Sequence, residues 1–457
     1  MKKIVFICIG FVFICVLGLG FFKTQEKALF DVNEILENSI FVEKKFEPDV
    51  EVVFNKEKDV EAYYLKDDSV SLVMVNFGFE KMGSAYEPKS GVGILMEALL
   101  LDGAGRWSRE ELRDFMKEKG IKIGLDVGKD NFDVAFSYVK EFEKEAWEVL
   151  KAVLYDPRLD EEDIRVVKSQ LKMMRIRAEE NPKTKLDRLI AEEFFGEHPY
   201  GKFVYPSDEE LDDLGADDIR SFLKEYMRKE NLTIGIAGNI EKNDVARFLE
   251  FMFGELKYET KVSKLGEFEP DFDEVLKSVD IKQSKQSFVT HIGKGIRRSD
   301  KDFYPFYFAD FIFGGSGLNS RLNKAVREEE GLVYGIYSYM SENDAMALWT
   351  ISYSSMSDNV EKIEKIIDDE YAKFVEYGVS VEEFETAKSS LLSSFNLRFS
   401  GVGKISYQLQ MMKREGLGSE FFKNRQDFVR SVTREEVNKV IKEKMPRKMR
   451  VFVGKGE

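Results

Sequence analysis

The chain has 457 residues, of which 43% are hydrophobic and 13% aromatic. This apolar content excludes an intrinsically disordered protein, and the length predicts two folded domains, or at most three. The 69 Lys and Arg residues against 84 Asp and Glu residues leave a formal net charge of −15. Because the chain is acidic and shows no basic stripe, nucleic acid is excluded as a partner.

The N-terminus carries a candidate membrane segment. An unbroken apolar run from Ile4 to Phe22 follows Lys2 and Lys3. As a helix this run spans roughly 28 Å, close to the thickness of a bilayer core. Lysines before such a run favour a cytoplasmic N-terminus and export of the rest. We therefore predict that residues 1–23 form an uncleaved anchor, with a cleaved signal peptide and a buried helix as alternatives.

The body of the chain offers no cysteine chemistry. Cys8 and Cys15 both lie inside the apolar run. Phe13 and Ile14 stand before Cys15, where a lipoprotein signal would have small residues. The remaining chain therefore forms no disulfide and offers no thiolate as a nucleophile or metal ligand.

Residues 24–48 are polar and mixed, and are predicted to tether this segment to a first domain, residues 49–261. Ser108 followed by Glu111 is a capping-box pattern that predicts the start of a helix. Hydrophobic periodicity predicts the other elements of this domain. In chain order they are strands at 62–65 and 70–75, helices at 92–101 and 108–119, strands at 121–125 and 132–138, helices at 141–154 and 161–178, and a closing strand at 232–239.

A linker rich in Lys, Glu, Gly and Pro, residues 262–275, precedes a second domain, residues 276–457. The order of predicted elements in this domain repeats that of the first, which indicates an internal duplication. We therefore predict an α+β fold of two homologous domains, each with an antiparallel-rich sheet flanked by helices. The predicted elements are a strand at 288–292, helices at 303–313 and 320–330, strands at 336–340 and 348–353, helices at 360–377 and 381–395, and a closing strand at 449–453.

A degenerate metal motif lies in the first helix of the first domain. The stretch from Ser90 to Leu99 resembles the helix that carries H-x-x-E-H in the pitrilysin/insulinase-type zinc peptidases, the inverzincins. In that family two His residues one turn apart bind zinc, and the Glu activates the bound water. The resemblance aligns the first His with Ile94, the Glu with Glu97 and the second His with Ala98.

The third ligand of the family, a Glu on a later helix, aligns with Gln170 or alternatively with Ser169. A neutral amide is a poor zinc ligand. The resemblance therefore implies that all three ligands are absent, that this chain holds no metal or other cofactor, and that Glu97 is a retained structural or solvated residue. The chain has two histidines, His198 in a turn that resembles one of the family and His291 at the end of a predicted strand. Both are interpreted as structural.

The second domain contains two further stretches that resemble the family. Residues 313–322 resemble the family's glycine-rich turn into a helix, and they lack the Gly-Lys-Ser/Thr ending of a phosphate-binding loop. Residues 326–337 closely resemble the family stretch whose Arg and Tyr contact the substrate, and these align with Arg327 and Tyr334. The resemblance implies that Arg327 holds a carbonyl or carboxylate and that Tyr334 donates to the oxyanion formed on peptide attack. The alternative is that both are ordinary surface and packing residues.

Small two-domain bacterial members of this family occur as pairs, with the zinc motif in one subunit and the Arg/Tyr pair in the other. The resemblance implies that this chain is the non-zinc subunit of a heterodimeric metallopeptidase on the periplasmic side of the inner membrane. Its partner is then a zinc-bearing paralogue with an intact H-x-x-E-H motif, and its substrates are peptides or unfolded segments. A non-catalytic structural or peptide-binding protein in a membrane-associated complex is the alternative. The histidine count disfavours an autonomous zinc peptidase.

The predicted topology is testable with reporters fused after Glu457. We expect a reporter that works only outside the cytoplasm to be active in this fusion, because two lysines precede the apolar run. A reporter that works only in the cytoplasm is the matched control and is expected to be inactive. Recovery of the whole protein in the cytoplasmic fraction would contradict the prediction.

Overall fold

The computed structural model describes residues 48–273, 276–281 and 284–456. The predicted anchor and all of the predicted tether except residue 48 therefore lie outside the described residues. Within the described ranges, no helix combines the length and the apolar character needed to cross a membrane.

The first half of the chain forms a six-stranded sheet, a short two-stranded ribbon and flanking helices. The strands are β1 (Glu51–Phe54), β2 (Glu61–Lys66), β3 (Leu72–Glu80), β4 (Gly103–Ala104), β5 (Trp107–Ser108), β6 (Lys122–Val127), β7 (Asn131–Val139) and β8 (Leu232–Gly238). The helices are α1 (Val92–Leu99), α2 (Arg109–Glu118), α3 (Glu143–Tyr155), α4 (Glu161–Glu180), α5 (Pro182–Ile190), α6 (Asp208–Asp213), α7 (Ala216–Tyr226) and α8 (Lys242–Phe253). The predicted capping box is present, since Ser108 accepts from the Glu111 amide and Glu111 accepts from the Ser108 amide.

The second half of the chain forms a five-stranded sheet with its own helices. The strands are β9 (Leu276–Ile281), β10 (Gln286–Lys294), β11 (Ile336–Glu342), β12 (Ala347–Met356) and β13 (Arg450–Gly456). The helices are α9 (Phe303–Asp310), α10 (Val360–Tyr377), α11 (Val381–Ser393), α12 (Val402–Arg414), α13 (Phe421–Ser431) and α14 (Arg434–Glu443). Two of the predicted helices are not regular α-helices throughout. The one predicted at 303–313 is α-helical only as far as Asp310 and continues as a π-helical turn, Phe311–Gly315. The one predicted at 320–330 contains a π-helical segment, Asn323–Glu328.

The two sheets share one topology. Their strand orders are β1-β2-β8-β3-β7-β6 and β11-β12-β10-β13-β9. Read from its other edge, the second sheet matches β9, β13, β10, β12 and β11 to β2, β8, β3, β7 and β6. The matched pairs β2–β8 and β9–β13 are parallel, and the other pairs are antiparallel. The α+β fold of two homologous, antiparallel-rich domains is confirmed, while the residue boundaries of the domains stay predictions.

One helix from each half packs on the sheet of the other half. Helix α5 contacts β9, β10 and β13, and helix α12 contacts β2, β3 and β8. Leu186 of α5 is buried, as is Phe194, which packs against Phe452 of β13 with ring centroids 6.3 Å apart. Each sheet is thus covered in part by a helix from the other half. The described residues form one compact unit.

Helix α12 approaches β8 closely because Gly235 has no side chain. A Cβ atom on Gly235 would lie 2.1 Å from the Ser406 carbonyl oxygen and 2.3 Å from the Gln410 amide nitrogen. On the same face, Gln410 donates a hydrogen bond of 2.8 Å to Asp133 of β7, and Arg414 forms an ion pair with the same carboxylate. The contact surface is therefore both tight and polar, and these bonds fix the position of the helix on the sheet.

The substitution Gly235→Ala tests this close approach. We expect it to lower the free energy of unfolding by about 1–3 kcal/mol, because the added methyl group forces α12 away from β8. The matched control is Gly266→Ala, where a Cβ atom meets nothing within 4 Å and the expected change is within about 0.5 kcal/mol. Urea unfolding followed by circular dichroism measures both, and equal midpoints for Gly235→Ala and the wild type would contradict the prediction.

Candidate functional site

Helix α1, which carries the degenerate metal motif, is capped by a buried carboxylate. Gly91 precedes the helix with φ of +86°, a conformation that other residues rarely adopt. Glu87 is 9% exposed and accepts hydrogen bonds from the amides of Gly91 at 2.8 Å and Gly93 at 3.1 Å. Burial raises the pKa of Glu87, and these two bonds oppose the rise. The N-terminus of α1 is thus held in place without any metal ion.

The motif positions on α1 contact the protein itself. The Ile94 side chain is half-buried and packs against the hydrophobic core of the first half, whereas Ala98 is exposed. Glu97 accepts a hydrogen bond from the Val127 amide at the end of β6, with an Oε2–N distance of 3.0 Å. Burial raises the pKa of Glu97, and the bond from Val127 opposes this only in part. Glu97 therefore links α1 to the edge strand of the first sheet.

The third aligned position lies on a neighbouring helix. Helix α1 packs against α4, which carries Gln170 as an exposed residue. The alkyl side chains of Ile94 and Ala98 have no lone pair for a metal ion, and a neutral amide is not among the ligands of stable zinc sites. These three residues do not fit the zinc ion of the inverzincins. In the described part of the chain, no three His, Cys, Asp or Glu side chains are grouped to hold a metal ion.

In the second half, the matching helix α9 ends in a buried carboxylate beside the glycine turn. Asp310 accepts hydrogen bonds from the Ser338 hydroxyl of β11 at 2.6 Å and from the Trp349 indole of β12 at 2.7 Å. Burial raises the pKa of Asp310 despite these two bonds. A Cβ atom on Gly315 would lie 2.7 Å from Asp310 Oδ2, so the turn passes the carboxylate only as glycine. Asp310 thereby joins the turn to two strands.

The helical segment after the glycine turn is anchored by Arg321. Its guanidinium donates to both carboxylate oxygens of Glu383, at 2.6 and 2.8 Å, and to the Gly378 carbonyl at 2.8 Å. Burial alone would raise the pKa of Glu383, but the bonds from Arg321 and from the Ser380 amide lower it to about 2. At neutral pH the pair is therefore charged and bidentate, which fixes the segment against the start of α11.

Asn323 ties the same segment to β11. Its side-chain nitrogen donates to the Ile336 carbonyl, and its side-chain oxygen accepts from the Ile336 amide at 3.4 Å. Ser320 accepts from the Asn323 amide at 3.3 Å and donates to the Gly317 carbonyl at 2.7 Å. Asn323 and Ser320 are both fully buried. The loop that follows, residues 329–335, is thus fixed at both ends.

Arg327 and Tyr334 are brought together by this loop. Gly331, with φ of +67°, reverses the chain, its amide donates to the Arg327 carbonyl at 3.1 Å, and the Leu332 amide donates to the Val326 carbonyl at 3.0 Å. The Arg327 guanidinium carbon lies 5.6 Å from the centroid of the Tyr334 ring, within cation–π range. Tyr334 is 88% exposed. Within the described residues, neither its hydroxyl nor the Arg327 guanidinium makes a hydrogen bond.

The two histidines are engaged within the fold. His198 Nδ1 accepts from the Tyr200 amide at 3.3 Å and caps a short turn. His291 is 3% exposed. It was predicted at the end of a strand but lies inside β10, which continues to Lys294. Its Nε2 lies 3.0 Å from a Glu364 oxygen, which also accepts from the Tyr353 hydroxyl at 2.6 Å.

Sequence reasoning did not single out the residues that support the Arg327–Tyr334 loop. Asp310 had a visible signal, because it is the one charged residue in the aromatic run from Phe303 to Phe313. Arg321 had none, because its partner Glu383 lies 62 residues away.

Two family profiles and several relatives match the chain. The profile for "Insulinase (Peptidase family M16)" matches residues 60–206, and that for "Peptidase M16 inactive domain" matches residues 213–391. The uncharacterized zinc protease YmxG of Bacillus subtilis is 24% identical over 321 residues, which are 69% of this chain and 76% of the relative. The non-peptidase homolog YmxG of Helicobacter pylori is 22% identical over 347 residues, 74% of this chain and 78% of the relative.

Solved structures share the fold. A peptidase M16 inactive domain from Pseudomonas fluorescens aligns with a TM-score of 0.80 at 19% identity, covering 89% of this chain and 98% of that chain. The periplasmic protease PqqL from Escherichia coli aligns with a TM-score of 0.74 at 12% identity, covering 90% of this chain and 47% of that chain. One copy of this fold thus accounts for about half of the PqqL chain.

Proposed function

The chain belongs to the insulinase family, peptidase family M16, and from this premise we propose that it is the non-zinc subunit of a two-chain peptidase. In this proposal a paralogous partner with an intact H-x-x-E-H motif holds the zinc ion and the catalytic Glu, and this chain contributes Arg327 and Tyr334. The chain itself is a family member without zinc ligands at the aligned positions Ile94, Ala98 and Gln170.

The observation that carries the proposal is the combination of a fixed loop with free polar groups at its surface. The ion pair of Arg321 with Glu383 holds the segment before the loop, and the bond of Asn323 to Ile336 joins the two ends of the loop. Nevertheless, Tyr334 exposes most of its ring. A binding residue needs this arrangement, because its donors must be available and its position must be set before the ligand arrives.

The two side chains have different roles in the proposal. The Arg327 guanidinium holds a carbonyl or carboxylate of the bound peptide with two parallel N–H donors, in the ground state and during attack. The Tyr334 hydroxyl donates to the peptide oxygen as negative charge develops on it. Since Tyr334 contributes one hydrogen bond that strengthens in the transition state, its effect falls on turnover, whereas Arg327 affects both binding and turnover.

Two observations support a second chain as partner. This chain aligns with 47% of the PqqL chain. Two chains of this size together therefore have about the length of PqqL. Strand β11, at the edge of the second sheet, also exposes Tyr337 and Tyr339 close to the Arg327–Tyr334 loop in sequence. An unpaired strand edge with exposed aromatic side chains is a surface suited to a peptide or a partner chain.

The proposal places the protein on the periplasmic side of the inner membrane. The apolar run from Ile4 to Phe22 behind Lys2 and Lys3 supports this location. The name of PqqL, a periplasmic protease of the same fold, is consistent with it.

A second candidate function is a non-catalytic structural or peptide-binding role in a membrane-associated complex. The name of the Helicobacter pylori relative, a non-peptidase homolog, favours this alternative. Loss of the zinc ligands agrees with both functions. The two functions make different demands on Arg327 and Tyr334. A shared peptidase site requires both residues for turnover, whereas a structural or peptide-binding role involves no turnover.

Zinc analysis of the purified full-length chain tests the first part of the proposal. After dialysis we expect no stoichiometric zinc by elemental analysis, because Ile94, Ala98 and Gln170 supply no stable ligand. The double variant Ile94→His/Ala98→His is expected to remain short of one ligand, and adding Gln170→Glu to it is expected to raise zinc retention. Stoichiometric zinc in the wild type, together with chelator-sensitive peptide cleavage, would contradict the proposal.

Substitutions in the complex test the second part. With the zinc-bearing partner recovered by co-purification from the native host, Tyr334→Phe is expected to lower kcat by roughly a hundredfold, or about 3 kcal/mol, because one transition-state donor is lost. Arg327→Ala is expected to raise KM and lower kcat together. The matched control is Tyr377→Phe, a tyrosine that is 73% exposed at the end of α10, and it is expected to leave both constants unchanged.

Assembly of the complex must be measured beside the kinetics, for example by size-exclusion chromatography. Full activity in both the Tyr334→Phe and Arg327→Ala complexes would refute the shared active site. A complex that assembles without any peptidase activity would favour the structural or peptide-binding role.

A further inference from the structure

A small cavity lies where α12, α13 and the 3₁₀ turn at Ser394–Phe399 meet, and it has no part in the proposed function. Its walls contain Arg298, Arg398 and Arg425, here called the arginine cluster. The cavity volume is about 80 Å³. On this measure one water molecule needs only about 10–15 Å³. The cavity therefore has room for several water molecules or for one polyatomic ion.

Two hydrogen-bond donors in this region are buried without an acceptor. Arg425 is 5% exposed, and its Nη1 atom has no hydrogen-bond partner among the described residues. The Phe395 ring lies 4.4 Å from the Arg425 guanidinium carbon and covers one of its faces. The Tyr304 hydroxyl, on a ring 5.7 Å from the Arg298 guanidinium carbon, is buried and unpartnered in the same way. Buried donors in native proteins nearly always have an acceptor, so both indicate a missing ligand or water.

The charges around the cavity are unbalanced. Arg298 pairs with Glu415 at 3.4 Å, whereas Arg398 donates to the Tyr307 hydroxyl at 3.3 Å. In the described ranges, neither Arg398 nor Arg425 has a carboxylate partner. Burial and the neighbouring Arg398 lower the pKa of Arg425 to about 10, so the group remains charged at neutral pH. A wall with three positive charges and one negative charge is unexpected in a chain whose net charge is −15.

We propose that the arginine cluster binds a small oxyanion of the phosphate class. Guanidinium groups match such anions with paired N–H donors, and Arg425 Nη1 would gain the acceptor that it lacks. Phe421 and Phe422, at the start of α13, line the cavity, so the positive end of this helix lies at the cavity. Glu420, the residue before the helix, pairs with Lys423.

The cavity also borders α12, the helix that packs on the first sheet. Gln408, Met411 and Met412 of α12 line the cavity together with residues of α13. A bound anion therefore lies between the end of α12, which covers the first sheet, and the start of α13. Because binding to the folded state alone stabilises that state, the oxyanion is expected to raise the melting temperature.

Phosphate titration of the purified full-length chain tests the proposal. We expect inorganic phosphate and sulfate to raise Tm relative to chloride at equal ionic strength, and calorimetry to show one phosphate site. Arg425→Met is expected to abolish the phosphate-dependent rise without lowering Tm in chloride, because it removes a buried charge that has no partner. Arg398→Gln is a second variant, to be used if Arg425→Met does not fold, because Arg398 is exposed. It is expected to weaken phosphate binding roughly tenfold to a hundredfold, as for loss of one charge-assisted hydrogen bond.

The matched control is Arg165→Gln, a surface arginine on α4 that pairs with Glu162, and it is expected to bind phosphate as the wild type does. Phenyl phosphate distinguishes the sources of the anion. A rise in Tm with inorganic phosphate alone identifies a free ion as the ligand, and a rise with both identifies a phosphoryl group on a larger molecule. No specific rise in the wild type, or an undiminished rise in both cluster variants, would overturn the proposal.

Discussion

The exchange of α5 and α12 between the two halves is the constraint on which the rest of the structure depends. The surface between α12 and the first sheet is polar as well as close, since Asn76 donates to Ser406 and Asp133 accepts from Gln410 and Arg414. These groups bond to one another only when the halves are docked, and separating the halves would replace these bonds with bonds to water. The two halves therefore form one compact unit, which presents both the altered zinc motif and the Arg327–Tyr334 loop.

Within that unit the two halves differ at the positions that align with the site residues of the family. Helix α1 does not depend on a metal ion, because Glu87 caps its first turn and Glu97 bonds to the Val127 amide. The helix is therefore held in place by groups of the protein itself. In the second half, Asn323 and Arg321 hold the segment before Tyr334, and Asp310 bonds to Ser338 in the strand after it. So much buried polar structure under one exposed tyrosine is difficult to explain by packing, and it agrees with a role in binding.

Local elements could be predicted from the sequence, and long-range placement could not. The capping box at Ser108 identified α2, and the repeated order of elements gave the duplicated α+β fold. Asn181 before Pro182 is a local signal for the start of α5, but nothing local indicates that α5 covers the second sheet. The same limit applies to the arginine cluster and to the bond of Asn323 with Ile336, because their members come together only through the tertiary fold.

The exchanged helix also has a consequence for the order of events during biosynthesis. The last strand of the first sheet ends at Gly238, and α12 begins at Val402. A ribosome adds about 160 further residues between these points, which takes roughly 10–30 s at common rates of translation. During that interval the face of the first sheet that receives α12 has no cover from within the chain. A nascent chain of this protein thus passes through a defined period in which the first sheet is incomplete and one of its faces is open to solvent.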